Sequence, residues 1–267
     1  MKKYLAVFRL RFSNTLQYRA AALAGLATQF AWGFMEIFAF AAFYRTNAAA
    51  FPMTLQRTAA YIWIQQAFLA LFMTWFWESD ISAAIESGSV AYELVRPMDL
   101  YSRWFSLAAA NRLARCLLRA APVLIVAFLL PAPYGMPLPP SLGQFALFLL
   151  SAALALGVVV SFAMLMYISV FYTLNPLGVQ LVGGVFADFL AGGVLPLPFF
   201  PQPFRGVAEL LPFAAMQNMP LRIYSGDIAG AGAARGVALQ IFWLVTMTLL
   251  GKILMNRTLK KVVIQGG

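Results

Sequence analysis

Residues 75–104 read WFWESDISAAIESGSVAYELVRPMDLYSRW, and the fold turns on how this stretch is parsed. An apolar, aromatic-rich run from Tyr61 to Trp77 stops at Glu78. A short amphipathic segment follows, then Gly88, a second helix-like run and the pair Arg96-Pro97. Arginines cluster before the next apolar run begins. The pattern is that of a membrane span opening into a polar, helix-capable loop on the basic side of the bilayer, well placed to meet a cytosolic partner. The chain carries no motif for an energy source of its own.

Composition supports the bilayer as solvent. The chain has 267 residues, of which 62% are hydrophobic and only 10% charged, against roughly 45–50% and about 25% in soluble domains. Histidine is absent and Cys116 is the single cysteine. That excludes disulfides within the chain, His-based metal sites and Cys/His or Ser/His catalysis. The net charge of +10 would suggest nucleic acid in a soluble chain. Here the basic residues flank apolar runs, so they read as orientation signals and no nucleic-acid partner is expected.

Outward from that loop, six apolar segments are long enough to cross, at about 20 residues each. They run over 20–44, 59–77, 107–130, 142–172, 177–195 and 237–255. The fold class expected is all-α, a polytopic membrane protein forming a single transmembrane domain over 1–267. Lys2, Lys3, Arg9, Arg11 and Arg19 precede the first span; Arg96, Arg103, Arg112 and Arg115 follow the second; Arg257, Lys260 and Lys261 follow the sixth. Six spans put all three groups on one side, so both termini are expected in the cytoplasm.

Residues 1–19 are not expected to be a cleavable signal, because basic residues interrupt their apolar pattern. On a helix, Leu5, Phe8, Phe12 and Leu16 share one face while Lys2, Arg9 and Gln17 lie elsewhere. This predicts an amphipathic helix on an anionic leaflet; a basic stop before the first span is the alternative. The link over 196–236 is apolar but broken by prolines, and Phe204–Leu211 and Phe213–Tyr224 are each long enough for two or three helical turns. Short helices dipping into the outer leaflet and returning fit it; a hydrophobic loop packed on the bundle is the alternative.

No G-x-x-x-x-G-K-[ST] loop is present, and the Gly230–Gly236 run resembles a dinucleotide turn only superficially. Charges inside spans are costly and tend to be functional or paired. Glu36 and Asp188, at the middle of the first and fifth spans, are therefore the candidates for a translocation path. Glu78 and Asp80 read as caps at the membrane edge, with Asp80 positioned to N-cap a helix over 81–87. The fifth span is rich in small residues, among them Gly183, Gly184 and Gly192, which suits close helix packing, including packing between subunits. Gln65, Gln66, Asn111 and Gln180 fit either interhelical hydrogen bonding or a path lining. Cys116 reads as a small buried hydrophobe.

Three stretches together resemble a known family. Asp80-Ile81-x-x-x-Ile85-x-x-Gly88 followed by Ala91-Tyr92-x-Leu94-x-Arg96-Pro97 is similar to a segment after the second span of ABC type-2 exporter permeases. Gly192-Gly193-x-Leu195-Pro196-Leu197-x-Phe199-Phe200-Pro201, with Leu211-Pro212-Phe213 after it, is similar to the stretch before their last span. The ending VVIQGG (262–267) is like that of the branch that works with a separate ATPase. The resemblance implies a permease in the bacterial inner membrane and an ATP-binding cassette partner that holds the ATP and Mg. It also implies a second permease chain, either a second copy or a related one, and no cofactor or enzymatic activity in this chain. Residues 78–104 would be the coupling segment, with Ile81, Ile85, Gly88, Tyr92, Leu94, Arg96 and Pro97 meeting the ATPase. Residues 196–236 would be the external re-entrant segment, marked by Pro196, Phe199, Phe200, Pro201 and Pro212. Amphipathicity points the same way, since the apolar face of Ile81, Ile85 and Val90 needs a protein groove. The rival reading is an ion-coupled secondary transporter using Glu36 and Asp188, against which no inverted repeat is visible. A scaffold or enzyme is disfavoured by the lack of any clustered nucleophile.

Overall fold

The computed structural model describes residues 2–17 and 24–261. The chain's first-span start at Ala20 and its VVIQGG ending lie outside those residues. Among the described residues all regular structure is helical. Helix α1 (Lys2–Gln17) is the expected amphipathic helix. Phe8 and Phe12 stack on it at 5.9 Å, and Phe8 seats against the bundle.

Among the described residues, three helices are long and apolar enough to cross a membrane: α2 (Leu26–Asn47) with its trailing 3-10 turn, α8 (Leu142–Thr173) and α13 (Gly230–Leu259). Local signals set their ends. Ser141 accepts from the Gln144 amide at 3.1 Å to start α8, and Leu174, in the left-handed region at φ 50°, stops it. Asn175 then caps α9 (Pro176–Leu190), with proline at its first position where no amide is needed. Helix α7 (Leu100–Leu129) is 30 residues long. It starts seven residues before the expected span, from an Asp99 cap on Ser102 at 2.8 Å, and carries Arg103, Arg112, Arg115 and Arg119 within it.

The expected second span is not one helix. It is α3 (Leu55–Ala67), a break at Phe68, the single turn α4 (Leu69–Phe72), and non-helical backbone from Met73 to Trp77. Apolarity alone favours continuing the helix, but other elements offer its backbone better-placed partners. The buried Arg112 guanidinium donates to the carbonyls of Ala70, Met73 and Phe76 at 3.4, 2.6 and 2.7 Å. Asp188 accepts from the Thr74 amide and hydroxyl at 3.3 and 2.8 Å. Gln180 donates to the Trp75 carbonyl, and the Glu78 amide donates to the Tyr167 hydroxyl. Unwound backbone at such depth persists only where protein groups satisfy it in this way.

Helices α5 (Ser79–Glu86) and α6 (Val90–Leu94) follow. Asp80 is not the cap that its position suggested: α5 begins one residue earlier, so Asp80 sits in the first turn, where a negative charge complements the helix dipole. Gly88, at φ 71°, makes the turn between α5 and α6.

After α9 a 3-10 turn (Leu197–Phe199) leads into α10 (Phe204–Leu210), α11 (Pro212–Met216) and α12 (Asn218–Tyr224). The expected helix over 213–224 is split at Gln217, whose side chain donates to the Gly192 carbonyl at 3.2 Å. Every residue of α12 is buried. It packs on α8, with Tyr224 edge-on to Phe148 at 5.2 Å. The small residues of α9 serve packing inside the chain. A Cβ at Gly183 would stand 2.6 Å from Met166 Sδ of α8, and the Gly184 carbonyl accepts from Thr74. In lipid this close fit, rather than water exclusion, holds helices together.

Candidate functional site

Glu36 and Asp188 line one cavity of about 640 Å³. Its walls come from α2, α3, α4, α7, α9 and the unwound segment after α4. Along α2 the spacing Gln29, Trp32, Glu36 puts three side chains on the cavity face. Gln65 and Gln66 come from α3, Met73 and Trp75 from the unwound segment, and Arg119 from α7. Asp188 lies in the last turn of α9, not at mid-helix.

The polar groups of this cavity differ in what holds them. Asp188 is anchored by Thr74, and Gln65 donates to the Gly193 carbonyl at 2.8 Å. Glu36 has no hydrogen-bonding or ion-pair partner among the described residues. Gln29 is only 3% exposed; its amide nitrogen donates to the Gln66 carbonyl at 2.9 Å, and its Oε1 has no partner. Arg119 lies against Gly25 at the foot of α2, and its buried Nε is also unpartnered. An unpaired buried polar atom costs on the order of 1–3 kcal/mol. Gln29 Oε1 and Arg119 Nε are closed off even from water, so they are a cost carried by this wall; the half-exposed Glu36 carboxylate is the acid left open to the cavity.

A second polar region lies between the cavity and α5. Both carboxylate oxygens of buried Glu78 are engaged, one by Asn111 at 2.5 Å and one by Arg11 of α1 at 2.8 Å. Asn111 accepts in turn from Thr15 and Arg115. The sequence offered Glu78 as an edge cap; it holds the N-cap position of α5 but makes no side-chain capping bond, and its carboxylate is the point where α1, α7 and the α4–α5 connection meet. Neither Arg112 nor Arg119 stood out in the sequence, because arginines near spans read first as orientation signals.

Residues 78–104 are held at both ends by α1. Arg11 reaches Glu78 and, at 3.5 Å, Asp80. Lys3 donates to the Pro97 carbonyl at 2.5 Å, and the Asp99 amide donates to Tyr4 at 3.0 Å. Ile81, Ile85 and Val90 are buried against Trp104, Met164 and Tyr167 in the chain's own core. The apolar face of α5 therefore already has its groove, and the expectation that Ile81 and Ile85 present it to a partner is corrected. The outward groups are Tyr92 at 79% exposure and Val95 at 82%, with Leu94, Arg96 and Pro97 also exposed. Glu93 anchors this edge from within, paired with Arg103 and accepting from Trp104 Nε1 at 2.6 Å.

The 196–212 candidates meet other elements. Phe199 packs on Phe40 of α2 at 5.0 Å, and Phe200 stacks on Phe189 of α9 at 5.3 Å. Pro196 precedes the 3-10 turn, Pro201 follows it, and Pro212 is the buried first residue of α11. Arg222 ties this region together through Glu209 at 2.6 Å and Asp227 at 2.5 Å.

The family model for ABC-2 family transporter protein matches residues 30–266. No curated protein matches the chain.

Proposed function

The chain belongs to the ABC-2 transporter family, and on that premise we propose that it is the permease subunit of an ATP-driven exporter in a bacterial inner membrane. It crosses six times, with both termini cytoplasmic. Three crossings are α2, α8 and α13; α7, the broken α3–α4 unit and α9 with the turn after it supply the others. Helix α1 lies along the cytoplasmic leaflet, and α10 to α12 form the external re-entrant segment. ATP and Mg bind in a separate ATPase subunit, which docks on residues 78–104 through Tyr92, Leu94, Val95, Arg96 and Pro97. Gly88 supplies the turn that presents this edge, while Ile81 and Ile85 fix it to the bundle. A second permease chain completes the path begun by the cavity of Glu36 and Asp188.

The single observation that carries this reading is the continuity of one strip of chain. The exposed edge at 92–97 is held by α1 and joined through α5 and Glu78 to the unwound segment at 73–77. That segment forms the cavity wall and is bonded to Asp188. A push on the edge has a short covalent route to the cavity.

Co-purification tests it. An ATPase subunit should come down with the wild-type chain from native membranes. Tyr92→Asp with Val95→Asp should abolish that recovery while leaving the chain folded, since both side chains are exposed. Undiminished co-purification in the double variant refutes the docking edge. Glu36 and Asp188 sharing one cavity also suits an ion-coupled carrier. Transport that persists without any ATPase and collapses with the proton gradient would establish that reading instead.

A further inference from the structure

We propose that the cavity of Glu36 binds an elongated zwitterionic amphiphile. Its ammonium end would lie at Glu36 and its anionic end at Arg119, with an apolar body between them. The inference deepens the permease reading and rests on it, since it names the class of molecule the path accepts.

The groups left without partners decide the chemistry. Glu36 is an acceptor with no donor among the described residues. Gln29 donates its amide to the Gln66 carbonyl, and its Oε1 is closed off from the cavity. An open carboxylate in an apolar wall calls for a ligand with several N–H donors and a positive charge, which a primary ammonium provides. The Arg119 guanidinium lines the same cavity with no carboxylate or carbonyl partner among the described residues, and calls for an anion. Asp188 accepts twice from Thr74, both times at Oδ1, so that oxygen is filled while the carboxylate adds negative potential to the cavity.

Spacing sets the length. Arg119 lies at the level of Gly25. Glu36 is eleven residues further along α2, about 16 Å at the α-helical rise of roughly 1.5 Å per residue. Trp32, Leu69, Met73 and Trp75 fill the wall between with apolar surface. A small zwitterion such as an amino acid cannot reach both ends, and a headgroup with adjacent charges cannot either. With two carboxylates against one guanidinium, the ammonium end contributes more than the anionic end.

The probe is ω-aminododecanoate, tested by equilibrium dialysis against the full chain in phosphatidylcholine nanodiscs. Dodecylamine, dodecanoate and ω-aminohexanoate serve as comparators. The expected order is ω-aminododecanoate tightest, dodecylamine next, dodecanoate third, with steps of about tenfold, the factor one charge-assisted hydrogen bond supplies. ω-Aminohexanoate should not bind measurably. Glu36→Gln should remove the advantage over dodecanoate. Arg119→Met should remove the advantage over dodecylamine, and Arg119→Lys should restore part of it. Phosphatidylethanolamine added to the nanodisc should not compete.

Equal binding of all three long-chain probes, no saturable binding, or full competition by phosphatidylethanolamine overturns the proposal. So does binding that is lost once the second permease chain is present, because a partner side chain then fills the site. If the ATPase still co-purifies through residues 92–97 while no zwitterion binds, the ligand class fails and the permease assignment stands. Saturable zwitterion binding to the chain, with no ATPase recovered in the co-purification from native membranes, does the reverse.

Discussion

Arg112 and Arg119 sit on the same helix, two turns apart, and face opposite fates. Arg112 is buried, and its guanidinium is spent on three backbone carbonyls of the broken α3–α4 unit. Arg119 faces a cavity with its Nε unpartnered. The acids divide in the same way. Glu78 has both oxygens engaged by Asn111 and Arg11; Glu36 has none engaged by the described residues. Residue type is shared within each pair, so it does not separate structure from function. Satisfaction does. A charge whose bonds are filled by the chain holds the chain's shape, and a charge whose bonds are open at a cavity is kept at a cost that only an occupant or a partner removes.

The harshest break of this contrast is at Arg112. Arg112→Met leaves three carbonyls of unwound backbone without donors, and the expected loss is on the order of 3–5 kcal/mol. Against a typical stability of about 5–15 kcal/mol, the variant should fold but melt far below the wild type. Arg119→Met removes a donor that has no carbonyl to abandon and should cost within about 1 kcal/mol. Thermal denaturation of the two purified variants in one detergent checks the pair. Equal losses would erase the distinction between the two arginines.

The difference also explains what was legible in the sequence. Some helix ends fell where the sequence put them: α8 starts at the expected 142, α9 at 176 against 177, and the turn sits at Gly88. The amphipathic α1 and the short helices among the prolines of 196–236 could also be read, because their signals lie within a few residues. The break in the second apolar run could not. Its causes, Arg112, Tyr167, Gln180 and Asp188, lie 36 to 114 residues away from the groups they hold. The face of Ile81 and Ile85 was legible as apolar but not as covered, since periodicity does not say whose groove receives it. Glu36 and Asp188 stood out as acids in apolar runs. That they meet in one cavity, and that Arg119 joins them, is long-range information that local patterns do not carry.

A milder break lies where α1 grips the segment over 78–104. Arg11→Leu and Glu78→Gln should each lower stability, and their effects should fall short of additive by about 1.5–3 kcal/mol, the range for a hydrogen bond between charged groups. Of the two single changes, Glu78→Gln should cost more, because its side chain is 8% exposed against 31% for Arg11. A double-mutant cycle from thermal melts measures the shortfall. Strict additivity would mean that α1 merely lies beside the segment, and its role in positioning residues 92–97 would fall.

The smallest effect on stability is expected at Glu36, where it is the most informative. Glu36→Gln keeps the size and shape of the side chain and removes a charge that no described residue neutralises. No donor is orphaned by the change, and an amide is less costly than a carboxylate in an apolar helix. The melting temperature should therefore stay level or rise slightly, within about 0.5 kcal/mol. Asp188→Asn is the matched control. Its Oδ1 still accepts from Thr74, so it too should be nearly silent in stability, and Asp188→Leu should not, because the Thr74 amide then loses its acceptor while the hydroxyl keeps only the Gly184 carbonyl. Against this flat background the readouts should diverge. Glu36→Gln should weaken retention of amine-bearing ligands about tenfold, whereas Asp188→Asn should weaken it less. A clear drop in melting temperature for Glu36→Gln in the assembled complex, absent from the isolated chain, would place a basic group of the second permease chain on Glu36. The cavity's open acid would then be half of a subunit contact, and the contrast with Glu78 would be one of timing, a charge filled on assembly instead of on folding.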